Sequence, residues 1–129
     1  MANMRKLVIP GKLPTLNEYV DACRANSILG NKFKREHQES VMWRIKQQIR
    51  KPYFTGKVTL EYFFYEENYR RDIDNVASFA MKVIQDALVK LQVIHDDSQK
   101  YLSHFACNFD VDKSNPRIEV IIKEAADGK

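Results

Sequence analysis

The feature that most constrains the fold is a long apolar stripe with helical spacing in the second half of the chain. Its members fall at the i, i+3, i+4 and i+7 positions that share one helix face, namely residues 76, 79, 80, 83, 84, 87, 88 and 91. A stripe this wide has to be buried against another element. Residues 57–65, just before it, are rich in β-branched and aromatic side chains and predict a strand. A strand followed by a helix is therefore the predicted centre of the fold.

Weaker patterns complete the predicted architecture. Further strands are predicted over residues 5–9, 101–110 and 117–123, with a short extended piece over 93–95. A second, amphipathic helix is predicted over residues 31–51, closed by Pro52, and a helical turn over 18–25. No linker or repeat divides the chain. The sequence thus predicts a single α+β domain over residues 1–129, a small mixed β-sheet packed with two main helices.

Charge is distributed unevenly along the chain. Residues 1–60 carry 12 Lys and Arg against 4 Asp and Glu, whereas residues 61–129 carry 9 against 13. A basic half joined to an acidic half fits a polyanion-binding surface beside a carboxylate cluster. Solvated faces that happen to differ in charge explain the same numbers equally well.

Composition and local runs favour a cytoplasmic protein that makes no membrane contact. Hydrophobic residues make up 44% of the chain and charged residues 29%, as in soluble globular proteins. The N-terminal apolar run Leu7-Val8-Ile9 is too short for a signal-peptide core or a membrane span. Cys23 and Cys107 stand alone in the sequence, so neither a zinc site nor a disulfide framework is indicated.

The residues best suited to chemistry follow the central predicted strand, in the run Arg70-Arg71-Asp72-Ile73-Asp74-Asn75. Alternate residues of an extended backbone share a face, so Asp72 and Asp74 can converge on one hard cation such as Mg²⁺. The alternative is that Asp74 or Asn75 only caps the following helix. Asp96 and Asp97 come after that helix and would reach the same rim if the chain runs back along the sheet. A solvated turn explains this second pair as well.

Three blocks of sequence follow one another in the second half of the chain, namely Arg71-Asp72-Ile73-Asp74-Asn75, Lys82-Val83-Ile84-Gln85-Asp86-Ala87-Leu88 and Val93-Ile94-His95-Asp96-Asp97. A weaker block follows the first predicted strand, Leu13-Pro14-Thr15-Leu16-Asn17-Glu18-Tyr19. In order and content these blocks resemble the RusA-like Holliday junction resolvases, which carry Asp-x-Asp-Asn, a Lys-x-x-x-Asp-Ala-Leu helix and a terminal Asp-Asp. The resemblance covers nearly the whole chain.

The resemblance implies a fold, an activity and a site. It implies a small α+β domain that forms a homodimer, and a Mg²⁺-dependent endonuclease that resolves four-way DNA junctions by paired nicks in recombination and repair. Carried over by motif, the catalytic and metal-ligating residues are Asp72, Asp74 and Asp97, with Asp96 as the adjacent acid.

The catalytic or DNA-contacting lysine of the family falls on Lys82. Lys82 lies seven positions after Asn75, where the better-known members have three, so one helical turn is inserted here. Counted from Asn75 instead, Ser78 occupies the lysine position. An exposed ion pair between Lys82 and Asp86 is the alternative interpretation.

A basic surface would hold the DNA backbone beside such a site. The candidates for salt-sensitive phosphate contacts are Lys32, Lys34, Arg35, Arg44, Arg70 and Arg71. The main competing hypothesis is a non-catalytic basic DNA-binding protein in which the aspartates are caps and turns. A metal-dependent phosphoesterase for small substrates is a third, which the basic first half of the chain disfavours.

Overall fold

A mixed four-stranded sheet lies at the centre of the protein, of which the computed structural model describes residues 4–125. Its strands are β1 (Met4–Pro10), β2 (Val58–Glu66), β3 (Leu102–Val111) and β4 (Arg117–Glu124). They lie in the order β1-β4-β2-β3, with β2 and β3 parallel and the other neighbours antiparallel. With the three helices of the described residues, this confirms the predicted α+β class and mixed sheet.

The strand β2 has one face buried in the core. Its side chains alternate between buried and partly buried along the whole strand, as expected when one sheet face packs on helices. Leu60, Tyr62 and Phe64 on the buried face are fully enclosed. They are paired in register with apolar residues of β4, namely Ile122, Val120 and Ile118. The core therefore lies between one face of the sheet and the helices, while the opposite face is only partly covered.

The helix α3 (Ile73–Lys90) crosses from the end of β2 to the start of β3. The predicted apolar stripe is buried over most of this helix, which confirms the strongest prediction from the sequence. Gln92 ends the helix in the left-handed region, at φ 59. Two backbone hydrogen bonds close this end, from Gln92 to Val89 and from Val93 to Leu88. They form a Schellman motif with glutamine where glycine is usual. Because α3 follows β2 after a short loop, the start of the helix lies near the carboxyl end of that strand.

The helix α2 (Ser27–Gln48) begins earlier and ends earlier than predicted. Asn26 caps its first turn by accepting a hydrogen bond from the Ile28 amide, and the helix continues through Gly30. Gly30 is suited to this position because a Cβ there would lie 2.6 Å from the Sγ of Cys23. At the other end the backbone becomes extended at Ile49, so the helix stops before Pro52 is reached.

The helix α1 (Leu16–Ala25) corrects the prediction of a mere helical turn. Thr15 and Glu18 form a capping box, in which each side chain bonds the backbone of the other. None of its residues is buried, so this helix lies at the edge of the core. Among residues 4–125, no helix combines the length and the apolar character needed to cross a membrane.

The segment between α3 and β3 bends instead of forming the predicted extended piece. Residues 93–95 belong to no strand, although Val93 and Ile94 are fully buried. The carbonyl of Val93 accepts a hydrogen bond from the amide of Phe54, which ties this segment to the chain before β2. The bend carries the following residues, Asp96 and Asp97, toward α3.

Candidate active site

Two exposed carboxylates stand at the start of α3. Asp72 occupies the N-cap position, but its side chain makes no capping hydrogen bond, and Asp74 lies in the first turn. The Oδ1 of Asp74 accepts a hydrogen bond of 2.9 Å from the amide of Asn75. In the part of the chain that the structure describes, neither Asp72 nor Asp74 makes an ion pair. Both carboxylates therefore keep oxygen atoms available for an external ligand.

The backbone that carries these carboxylates is anchored on both sides. Arg71 forms a two-pronged ion pair with Glu66 at the end of β2, at 2.7 and 3.0 Å, and also donates to the carbonyl of Leu13. The side chain of Asn75 accepts a hydrogen bond of 3.1 Å from the amide of Asn17 at the start of α1. Sequence reasoning missed both anchors, because they join residues that are distant along the chain or across a loop.

Asp97 lies against the middle of α3. Its Oδ2 is 3.8 Å from the Nζ of Lys82, and its own amide donates to the side chain of Asp96 at 2.9 Å. Lys82 lies about two turns, or roughly 12 Å, beyond Asp74 along the helix. The structure thus brings Asp97 to Lys82, and Asp72 and Asp74 to the helix start.

Lys82 is held mainly by Asp86. Its Nζ is 3.2 Å from the Oδ1 of Asp86, one turn further along α3. The hydrogen bond and the charge of Asp86, with a smaller contribution from Asp97, raise the pKa of Lys82 above its usual value. The amine is therefore firmly protonated, and it acts here as a cation that joins two carboxylates. The predicted alternative, an ion pair with Asp86, is present in the structure.

The residues fit a hard divalent ion by their chemistry, although they do not form a closed cage. Carboxylate oxygens are ligands that Mg²⁺ favours, and this ion commonly uses only one or two carboxylates together with water and substrate phosphates. Within residues 4–125, no three His, Cys, Asp or Glu side chains lie close enough together to hold a metal ion. Asp72 and Asp74 make no ion pair among the described residues and are the candidates to hold one, whereas Asp97 contacts Lys82.

The six predicted DNA-contacting cations fall into two groups. Lys32, Arg35 and Arg70 are exposed, and none of them makes an ion pair with another described residue. Lys34 pairs with Asp86 at 3.3 Å. The two other cations have partners as well, since Arg71 binds Glu66 and the guanidinium of Arg44 lies 5.1 Å from the ring centre of Trp43.

An α+β domain with exposed carboxylates beside arginine and lysine side chains is suited to metal-assisted hydrolysis of a phosphodiester. The family model described as Endodeoxyribonuclease RusA matches residues 10–123 of the chain. The chain therefore belongs to the RusA endodeoxyribonuclease family and is an enzyme that hydrolyses DNA. Membership implies a metal-dependent endonuclease that resolves Holliday junctions. A search of curated proteins found no match.

The family match decides between the hypotheses that the sequence left open. It spans all four blocks on which the resemblance rests, and the resemblance is confirmed. The non-catalytic DNA-binding protein is set aside, because the family is one of nucleases. The roles of individual residues stay predictions.

Proposed function

We propose that the protein is a Mg²⁺-dependent Holliday junction resolvase that cuts four-way DNA junctions by paired nicks, as a homodimer, in recombination and repair. The observation that carries the proposal is the carboxylate pair Asp72 and Asp74, exposed, without ion pairs among the described residues, and lying inside the family match. An aspartate that served only as a helix cap would accept a hydrogen bond from a backbone amide in the first turn of α3. The side chain of Asp72 accepts no such hydrogen bond.

We assign metal binding to Asp72 and Asp74, and Asp97 is the third acidic residue of the proposed site. A bound Mg²⁺ would offset charge on the phosphate and lower the pKa of the attacking water. The ion pair of Arg71 with Glu66 anchors the neighbouring backbone and so holds the two carboxylates at the start of α3. A DNA phosphate bound beside these carboxylates needs compensating charge from the protein, and Lys82 supplies such charge close to Asp97.

DNA binding is assigned first to the exposed cations Lys32, Arg35 and Arg70. Each phosphate contact of such a side chain releases counterions, so binding should weaken steeply with salt. Lys34, Arg44 and Arg71 remain predicted contacts, but each would have to share its charge with the protein partner it already has. We therefore expect the first three to dominate the salt dependence of junction binding.

The proposed homodimer follows from the symmetry of the substrate. A four-way junction is nearly two-fold symmetric and needs two matched nicks, while one copy of the proposed site can make one nick at a time. Isologous pairing supplies the second site and raises the effective concentration of the second cut. The sheet face opposite the helices presents partly exposed apolar side chains, including Val8, Phe63 and Ile121, and is a candidate for the paired surface.

The proposal is tested with a cruciform-bearing supercoiled plasmid, which distinguishes paired from single nicks. Paired nicks within one binding event convert the plasmid directly to linear DNA, whereas separate nicks accumulate open circles first. We expect linear product with Mg²⁺, none in EDTA, and no cutting of a relaxed plasmid of the same sequence. Cutting of the relaxed plasmid at an equal rate, or cutting in EDTA, would contradict the proposed activity.

Light scattering of the free protein and of its junction complex tests the dimer separately. We expect a mass near twice the 15.1 kDa of the chain at micromolar concentration. A monomer mass that junction DNA leaves unchanged would rule out paired nicking by two copies.

A further inference from the structure

We propose that Asp86 is a positioning residue for DNA cleavage, which holds the side chain of Lys82 so that Lys82 orients Asp97. The inference rests on the proposed function, because it requires that Asp97 takes part in the reaction. Asp86 itself touches neither of the carboxylates assigned to the metal, and sequence reasoning gave it no role beyond an ion pair.

The carboxylate of Asp86 is shared between two cations from two helices. Its Oδ1 lies 3.2 Å from the Nζ of Lys82 on α3, and its Oδ2 lies 3.3 Å from the Nζ of Lys34 on α2. Lys82 continues the chain of contacts to Asp97 at 3.8 Å. Four alternating charges thus connect α2, α3 and the segment that carries Asp97.

Lys82 needs a partner that fixes its position, because most of its side chain is exposed to solvent. It is 59% exposed, whereas Asp86 is 22% exposed. A free lysine side chain samples many rotamers, and fixing it in one of them costs conformational entropy. Asp86 is the nearer of its two acidic partners, so Asp86 determines where the ammonium group lies and therefore what it offers to Asp97.

Helix stability alone does not account for this pair. In an isolated helix the favourable order places the acid before the lysine, whereas here Lys82 precedes Asp86. The added contact from Lys34 shows that Asp86 is oriented by tertiary structure, across the junction of α2 and α3. A carboxylate fixed from one side can fix a flexible cation on its other side.

Asp97, in turn, has few other constraints. It lies in the irregular segment between α3 and β3, and its side chain is 29% exposed. At 3.8 Å its contact with Lys82 is electrostatic rather than a hydrogen bond. The placement of the Asp97 carboxylate therefore follows the placement of the Lys82 ammonium group.

The test is a double-mutant cycle of Asp86→Asn and Lys82→Gln, measured as kcat for junction cleavage. Supporting groups of this kind typically contribute about tenfold to a hundredfold, and we expect that loss for Asp86→Asn with junction affinity unchanged. If Asp86 acts through Lys82, the double variant loses no more than Lys82→Gln alone. Independent, multiplying losses would overturn the inference, as would wild-type kcat in Asp86→Asn.

A second readout uses the metal-free protein. Asp86→Asn should shift the backbone amide resonance of Asp97, whereas Asp21→Asn, a matched change at an exposed position of α1, should not. A purely structural tie between α2 and α3 would instead make Asp86→Asn lower the free energy of unfolding without shifting the Asp97 resonance, and that result overturns the positioning role. Asp86→Glu keeps the charge and should restore part of the activity.

Asp97→Asn, run in parallel, separates the two levels of the proposal. An inactive Asp97→Asn beside a fully active Asp86→Asn would overturn only the positioning role. A fully active Asp97→Asn would remove Asp97 from the proposed site and overturn the positioning role with it, while Asp72 and Asp74 could still support the activity.

Discussion

Arg70 and Arg71, which precede the proposed metal-binding carboxylates, should have different functions, although the sequence predicts DNA binding for both. Arg71 donates three hydrogen bonds to Glu66 and Leu13, while Arg70 is exposed and has no ion-pair partner in residues 4–125. The side chains of Arg71 and Glu66 are only 19% and 12% exposed. We therefore expect Arg71 to stabilise the fold and Arg70 to bind DNA.

The expected magnitude follows from the geometry of the Arg71 contacts. A lysine at position 71 keeps the charge but cannot make both bonds to the carboxylate and the one to Leu13, because it lacks the planar fork. Losing two hydrogen bonds to charged partners costs about 1.5–3 kcal/mol each when fully buried. Halving this for the partial exposure, we expect Arg71→Lys to lower the free energy of unfolding by about 2 kcal/mol. The melting temperature would fall by roughly 8 °C.

Urea denaturation and salt-dependent junction binding together show which of the two arginines stabilises the fold and which binds DNA. Arg70→Ala should leave the free energy of unfolding within about 0.5 kcal/mol of the wild type. It should also reduce the slope of log affinity against log salt by about 0.9, the contribution of one phosphate contact. Arg71→Lys should show the reverse pattern. Unchanged stability in Arg71→Lys, together with a reduced salt slope in Arg71→Ala, would refute the reasoning and make Arg71 a DNA contact.

Three further outcomes are expected. Burial raises the pKa of Tyr62 far above its usual range, so the folded state keeps the phenol neutral while the unfolded chain ionises it above about pH 10. Stability from this group is complete below that pH and falls by up to about 1.4 kcal/mol per pH unit above it. Alkaline denaturation should show this slope reduced in Tyr62→Phe but not in the control Tyr69→Phe, whose side chain is 86% exposed. Gln92→Val should cost about 1–2 kcal/mol in urea denaturation, because a β-branched residue is strained at φ 59, and a neutral result would contradict the left-handed helix end. Lys82→Ala should lower the cleavage rate more than Lys90→Ala, and equal mild effects would assign Lys82 to a solvated helix face.

The parts of the fold that sequence could predict are those with a strong, local hydrophobic period. The β2 strand and α3 lie where the sequence predicts them. The helix begins at Ile73, before the first residue of the stripe, because Ile73 is exposed and the next two residues are polar, so none of them adds to the stripe. Only a helical turn is predicted where α1 lies, and this helix contributes no buried residue to the core. The signal that would have found its start is the capping box of Thr15 and Glu18, which is readable in the sequence.

The sequence predicts which residues form the site, while the contacts between them depend on the fold. Spacing predicts that Asp72 and Asp74 share a face of an extended segment, whereas in the structure Asp72 is the N-cap of α3 and Asp74 lies in its first turn. The contact of Lys82 with Asp97 depends on how the segment after α3 bends, and the pairing of Arg71 with Glu66 depends on the path of the loop after β2. Those paths are set by long-range packing, which a local pattern does not encode.

The central claim is that the carboxylates of Asp72 and Asp74, with Asp97, carry out metal-dependent junction cleavage. The most direct measurement is cleavage and binding of one synthetic four-way junction in Mg²⁺ by Asp72→Asn, Asp74→Asn and Asp97→Asn, with Asp21→Asn as the matched control. Each asparagine keeps the side-chain shape and removes one negative charge from the proposed site. We expect cleavage to be abolished in the three variants but not in the control, with junction affinity retained or increased because repulsion of the phosphate is lost. Wild-type cleavage rates in Asp72→Asn or Asp74→Asn would contradict the account.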